Sequence, residues 1–298
     1  MAMVEMGHAR VIELGYRNPT LPALRMEVLA FADLTGRLST AQFEWVHRPD
    51  FHQLTLVHGG EGTGMVDFLD TPMRPGTLLH IRPGQVQRLP VGPDGAPAEL
   101  DATVVLFTPD FPPRLPATLP LDIPGPELWR LGPADLPHFR HALADLAAEY
   151  TEFPGRSPEL TKELLRQLLA ALLLRIARLP SPDGRPRTLP EEPYRRFLQE
   201  LERSFTTLRQ AHDYASRIGY SLKTLNRACR RATGHTAKHL VDARVVLEAK
   251  RLLAHTDLPV ASISHRLAFT EPTNFSKFFT RMTGTTPGTF RDTQRGPS

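Results

Sequence analysis

The spacing of apolar residues changes twice along this chain, and the changes mark three stretches. From about Ala41 to Phe111, short apolar runs are broken by Gly, Pro and Asp. FHQLTLVHGGEGTGMVDF, TPMRPGTLLHIRPGQVQRLP and PAELDATVVLFTPDF predict the strands and turns of an antiparallel barrel or sandwich. Gly60, Gly62 and Gly64 lie between two such runs with no helix following, which predicts a hairpin turn rather than a phosphate loop. Met1 to about Leu38 shows little pattern and reads partly as a mobile arm. Helical spacing then takes over: Leu136, Phe139, Leu143, Leu146 and Tyr150 form one stripe. The next helix, Pro158 to Leu179, carries two. Leu165, Leu169, Leu172, Ile176 and Leu179 step four-three-four-three as a short heptad seam, while Leu164, Leu168 and Leu173 fall outside it. A helix apolar this far round must be covered on more than one side. The seam is expected to serve a homodimer; burial inside its own domain is the alternative.

The third stretch holds two patterns of short helix, tight turn and second helix: QAHDYASRIGYSLKTLNRACRRATG (Gln210–Gly234) and VASISHRLAFTEPTNFSKFFTRMTG (Val260–Gly284). One such pattern is a modest signal, but two joined by a helix point to a reader of double-stranded DNA. In the first, Thr206 or Thr207 is expected to cap the leading helix, Gly219 to make the turn and Ser221 to cap the second helix. Leu222, Leu225 and Cys229 then face inward, and Lys223, Asn226, Arg227 and Arg230 share the opposite face. Arg and Lys suit guanine N7 and O6 in the major groove, and Asn suits adenine N6 and N7. Ser221, Arg231 and Lys238 are assigned to phosphates, which position without specifying sequence. In the second motif Phe275, Phe278, Phe279 and Met282 make the core side. Thr273, Asn274 and Lys277 point away as base readers, with Ser276 and Arg281 toward phosphates. The connecting stretch TAKHLVDARVVLEAKRLLAHT predicts a helix roughly 30 Å long. Major-groove faces recur about every 34 Å along one side of DNA, so such a spacer can serve two grooves.

Charge sharpens the division. From Asp183 onward there are 20 Lys and Arg against 11 Asp and Glu; the rest has 16 against 21. A basic C-terminal module beside an acidic N-terminal one fits a DNA-binding domain next to a domain with another task. Cys229 is the only cysteine, so no intrachain disulfide forms, and a reducing cytoplasm is the expected location. No run reaches the roughly 20 apolar residues of a membrane span, and no signal peptide is recognisable. SPDGRPRTLPEEP reads as a linker. The expected organisation is α+β: a sensing and dimerisation domain over residues 1–180, a linker over 181–193 and an all-α DNA-binding domain over 194–298.

Over about Pro193 to Arg291 the chain resembles AraC/XylS-type transcriptional regulators. YASRIGYSLKTLNRACRRATG, ARVVLEAKRLL and FTEPTNFSKFFTRMTGTTPGTFR carry the likeness. It implies base reading by Lys223, Asn226 and Arg227 in the first motif and by Thr273, Asn274 and Lys277 in the second. Gly284, Pro287 and Arg291 would be structural. The chain departs from the family at the second turn, where Ser264 and Ala268 replace the usual Ala and Gly. RPDFHQLTLVHGGEGTGMVDF and GTLLHIRPGQVQRL resemble the strand motifs of cupin-like sensor domains. Leu54 and Gln87 stand where metal cupins place histidines, which implies a barrel with no metal and no cofactor. His52, His80, Arg82 and Gln87 are the candidate pocket for an unknown small-molecule effector. RNA polymerase is a partner by the resemblance alone. A regulator whose barrel only dimerises, and a cupin enzyme with an accessory DNA-binding tail, are the alternatives.

Overall fold

Alternation along the strands builds the N-terminal half. The computed structural model describes residues 11–39, 43, 46–115, 128–155, 157–180 and 191–295. It divides into two compact units, Ile12–Arg187 and Thr188–Ser298, with the division inside the expected linker. Linker residues 181–190 lie outside the described residues, as does the start of the expected arm.

The strands of the first unit are β1 (Val11–Leu14), β2 (Met26–Ala30), β3 (Val46–Pro49), β4 (His52–Gly59), β5 (Gly62–Val66), β6 (Leu69–Met73), β7 (Thr77–Ile81), β8 (Gln87–Val91), β9 (Asp101–Phe107) and β10 (Leu128–Arg130). They form two five-stranded sheets, ordered β1-β3-β8-β5-β6 and β10-β7-β4-β9-β2, with every described pairing antiparallel. Leu54 and Leu56 point to one face of β4, and Gln53, Thr55 and Val57 to the other. The second face meets Leu79, Ile81, Val104 and Leu106, together with Val66, Met73 and Leu89 of the other sheet, as the barrel interior. The first face meets a helical layer. Pro72 lies in the edge strand β6, where the donor it lacks is least missed. The glycine cluster makes a turn but not the expected hairpin: Gly60 has φ +79° and links β4 to β5, which pair with other strands in different sheets.

Two elements arise in the stretch that shows little pattern. Strand β2 pairs with β9 from Met26↔Phe107 to Ala30↔Thr103, and α1 (Phe31–Thr35) follows it. The apolar rhythm of β2 is interrupted by Glu27, which is 2% exposed and held by two Arg37 hydrogen bonds of 2.7 and 2.9 Å.

Helices α2 (Leu136–Glu152) and α3 (Pro158–Arg178) cover the outer sheet face. Here the dimer assignment is corrected. Leu165, Leu169, Leu172, Ile176 and Leu179 are 0–5% exposed and pack with Leu54, Leu56, Phe139, Leu143 and Leu146 in their own domain. A sheet face carrying this much apolar surface takes the deeper seam for itself. The residues left outward are Leu160, Leu164 and Leu174.

The second unit is all helical: α4 (Glu192–Ser204), α5 (Ala211–Arg217), α6 (Leu222–Thr233), α7 (Ala237–His255), α8 (Val260–Arg266), α9 (Pro272–Thr283) and α10 (Pro287–Arg295). The linker therefore ends earlier than expected. Pro193 occupies the first turn of α4, where its missing N–H costs nothing. One continuous core runs from Phe197 and Tyr214 through Val241, Val245 and Ala249 to Phe275 and Phe279, so both motifs share it through α7.

Candidate nucleic-acid interface

Each recognition-type helix ends in the same joint, built twice fifty residues apart. Gly234 and Gly284 close α6 and α9 at φ +80° and +79°, in the left-handed conformation that glycine adopts without strain. The hydroxyls of Thr233 and Thr283 donate back to the carbonyls of Cys229 and Phe279 at 2.9 and 2.8 Å. Thr236 and Thr286 then start the next helices by accepting from the N–H groups of His239 and Thr289 at 3.3 and 3.2 Å. In the first joint Asn226 Oδ1 also accepts from the Ala237 N–H at 3.0 Å, which ties α6 to α7. The second has Pro287 there and needs no such acceptor.

Around α6 the expected turn is present: Gly219 has φ +76°, and Ser221 Oγ accepts from the Thr224 N–H at 3.1 Å. Leu225 and Cys229 are fully buried, and Lys223, Arg227 and Arg230 are exposed. Among the described residues no hydrogen bond or ion pair engages those three cations. Three assignments change. The helix before the turn begins at Ala211, while the Thr207 hydroxyl donates to Ser204 O at 3.1 Å instead of capping it. Leu222 is 36% exposed, because the first residue of α6 lies before the helix meets the core. Asn226 has its carbonyl committed to Ala237, so it cannot offer adenine the paired acceptor and donor expected of it.

On α9, Phe275, Phe278 and Phe279 are buried and Thr273, Asn274 and Lys277 are exposed, as their spacing requires. Ser276, Lys277 and Arg281 line an open groove of about 590 Å³ against the start of α10. Arg291 donates to the carbonyls of Leu253 and Leu258 at 3.3 and 2.6 Å and closes the end of α7. Sequence reasoning missed Asp242, at 8% exposure the shared anchor of three cations. Lys238 Nζ lies 2.5 Å from its carboxylate, Arg209 Nη2 3.5 Å and Arg281 Nη2 3.9 Å. Lys238 is therefore tied to a carboxylate of its own helix, which corrects its assignment as a phosphate contact, whereas Arg281, 68% exposed and at the longest of the three distances, stays available. Arg231 pairs with Glu191 at 2.7 Å, but both are exposed, and such a pair yields readily to a competing phosphate.

In the first unit the four candidate pocket residues do not form one site. His52 Nδ1 and His80 Nε2 are 3.1 Å apart, and His52 stacks on Phe107 with centroids 4.8 Å apart. Alternation puts both histidines on the helix-facing side of their sheet. Burial and the nearby Arg82 guanidinium hold His52 down at about 3 and His80 well below its ordinary range, so both are neutral. Gln87 alone faces the interior. Its Nε2 donates to Gln53 Oε1 at 3.1 Å, and Gln53 Nε2 donates to Thr55 Oγ1 at 3.2 Å. The cavity around them is about 10 Å³, room for about one water. Gln53 and Thr55 were discoverable, since they are the polar residues alternating with Leu54 and Leu56.

Residues 30–169 match the family model of the AraC-like ligand binding domain, and residues 214–293 match a helix-turn-helix domain model. The chain belongs to the AraC-type transcriptional regulators. Among its relatives are the HTH-type transcriptional activators RhaS of Klebsiella pneumoniae (strain 342) and Escherichia coli (strain K12 / DH10B). The first is 27% identical over 84% of this chain and 87% of its own length, the second 28% over 87% and 90%. ToxT of Vibrio cholerae O395 aligns at a TM-score of 0.42 with 10% identity, covering 82% of this chain and 89% of its own. The regulator is not an enzyme by this membership, and no helix among its described residues is long and apolar enough to cross a membrane.

Its two departures from the family pattern have physical consequences. Ala268 holds φ +56°, a conformation that costs a residue with a Cβ about 1 kcal/mol. Ser264 is fully buried, and among the described residues its hydroxyl has no hydrogen-bond partner. Ala268→Gly and Ser264→Ala together should raise the stability of the C-terminal unit by about 2 kcal/mol. Urea denaturation followed by helical circular dichroism measures it. An unchanged midpoint means the turn carries no strain.

Proposed function

We propose that this regulator reads two successive major grooves, using α6 for sequence and α9 for both sequence and position. The observation that carries the reading is the shared core. Two helices with exposed polar faces are packed through one core with a single 19-residue helix, which is about 28 Å long against a groove repeat of about 34 Å. Lys223, Arg227 and Arg230 read bases from α6. Thr273, Asn274 and Lys277 do so from α9. Arg231, Ser276 and Arg281 take phosphates, with Ser221 contributing where its capping bond leaves its proton free.

Arg227→Ala should weaken binding by about 1–3 kcal/mol and relax preference at one base pair. Arg231→Ala should weaken binding to all sequences and lower the salt slope by about one. Selection from a random duplex library, repeated with each variant, tests both. A sequence motif unchanged by Arg227→Ala removes this residue from the reading surface, and no duplex binding by the wild type at low salt removes the function.

Two copies would pair through the outward stripe of α3: Leu160, Leu164, Gln167, Ala171, Leu174 and Arg178, again at heptad spacing and all exposed. Antiparallel pairing sets Leu164 on Leu174 of the second copy and brings Glu159, in the first turn of the helix, toward Arg178 in its last. The effector seat would be the interior around Gln53, Thr55 and Gln87. An interior this tight must open to admit a metabolite, so the effector acts by selecting an expanded form of the barrel. The same tightness favours a second reading, a barrel that only dimerises. A thermal-shift screen against sugars, fatty acids, aromatics and drugs separates them, because only a sensor is stabilised. Activation, as in the names of the RhaS relatives, would proceed by contact with RNA polymerase in the cytoplasm.

A further inference from the structure

Arg209 precedes the first motif, in the turn between α4 and α5, yet its side chain ends in the second. Its guanidinium carbon lies 3.9 Å from the ring centroid of Phe269 and 4.6 Å from that of Phe278. Nη2 is 3.5 Å from Asp242 Oδ1 on α7, and Nη1 donates to Leu267 O at 3.5 Å, in the turn that holds the strained Ala268. The side chain is only 16% exposed. One group thus touches the lead-in to the first motif, the connecting helix, and the turn and recognition helix of the second.

A buried cation is a costly way to fill such a place. Two aromatic faces and a buried carboxylate offset the desolvation, so the site is compensated rather than strongly stabilising. What a guanidinium adds over an aliphatic side chain is direction. It is planar, stacks in one orientation and donates along fixed lines, whereas an apolar residue tolerates several packings. The core alone keeps α8 and α9 against α7; the Arg209 contacts select one rotation about it.

We infer that Arg209 is a positioning residue that fixes the spacing and rotation between the two recognition helices, and hence the separation of base pairs that this regulator accepts. The inference rests on the two-groove reading. It predicts an effect on how the two half-elements of a site combine, with no effect on the bases preferred in either.

The test uses the full chain and the duplex selected by the wild type. Affinity is measured at the native spacing, with one base pair inserted or removed between half-elements, and with the second half-element scrambled. The wild type should prefer one spacing at least tenfold. Arg209→Met should lose about tenfold at the native spacing, bind the scrambled duplex within twofold of wild type, and discriminate spacings poorly. Arg209→Lys, which keeps the charge near Asp242 but not the planar stack, should behave alike, as should Phe269→Leu. If Arg209→Met fails to fold by circular dichroism, the latter two decide. Folded variants with wild-type spacing discrimination overturn the inference. So does an equal loss on intact and scrambled duplexes, which marks a general structural role. A wild type that selects a single undivided element sinks the two-groove reading itself and with it this inference.

Discussion

Replacing Leu165, Leu169 and Leu172 together with Glu unfolds the N-terminal unit. These side chains are at most 1% exposed and lie between α2, α3 and the outer sheet face. Truncating one buried leucine costs about 2–5 kcal/mol, and a carboxylate in its place adds desolvation. Three such losses exceed the roughly 5–15 kcal/mol that holds a domain together. Leu164→Glu with Leu174→Glu has the opposite profile. Both positions are exposed, so the pair should leave the fold within about 1 kcal/mol of wild type and disrupt the proposed self-association instead. Tryptophan fluorescence separates the cases, because both tryptophans, Trp45 and Trp129, precede the linker in sequence. The triple variant should lack the fluorescence unfolding transition. The double variant should keep it and sediment as a single chain. A cooperative transition in the triple variant contradicts the packing, and a persistent dimer in the double variant places the interface elsewhere.

That contrast shows where the sequence was legible. The α3 helix was readable to within one residue, because proline starts it and its apolar period is regular. Which of its two stripes meets the sheet was not, since both are leucine-rich and only the partner surface distinguishes them. The same holds at the DNA-facing side. Gly219, Ser221 and Gly234 announce a turn, a cap and a stop through backbone needs that few residues meet, and Ala268 announces strain for the same reason. Asn226 and Arg209 look alike in sequence as polar residues available to DNA. The structure divides them by long-range partners: Asn226 meets a backbone N–H eleven residues away, and Arg209 a carboxylate thirty-three residues away. Local pattern carries helix ends and faces; it does not carry which polar group another element has already claimed.

The histidine pair extends this point to pH. His52 is fully buried and His80 3% exposed, and one ring must donate to the other across 3.1 Å. Burial first, then the Arg82 charge, keeps the His52 imidazole neutral down to about pH 3, and His80 moves in the same direction. In the unfolded chain both return to about 6.5. Between those values the unfolded state binds more protons, so stability is complete above about pH 6.5 and declines as pH falls toward 3. At pH 5 the His52 share of the loss is about 2 kcal/mol, and His80 adds to it. Urea denaturation by tryptophan fluorescence at pH 7 and pH 5 should therefore show a lower midpoint in acid for the N-terminal unit. His52→Gln combined with His80→Gln should flatten that dependence while leaving the response of the C-terminal unit, followed by circular dichroism, as it was. A wild-type midpoint equal at the two pH values would mean that the pair takes up protons in the folded state, and that the sheet face holding it is open to water.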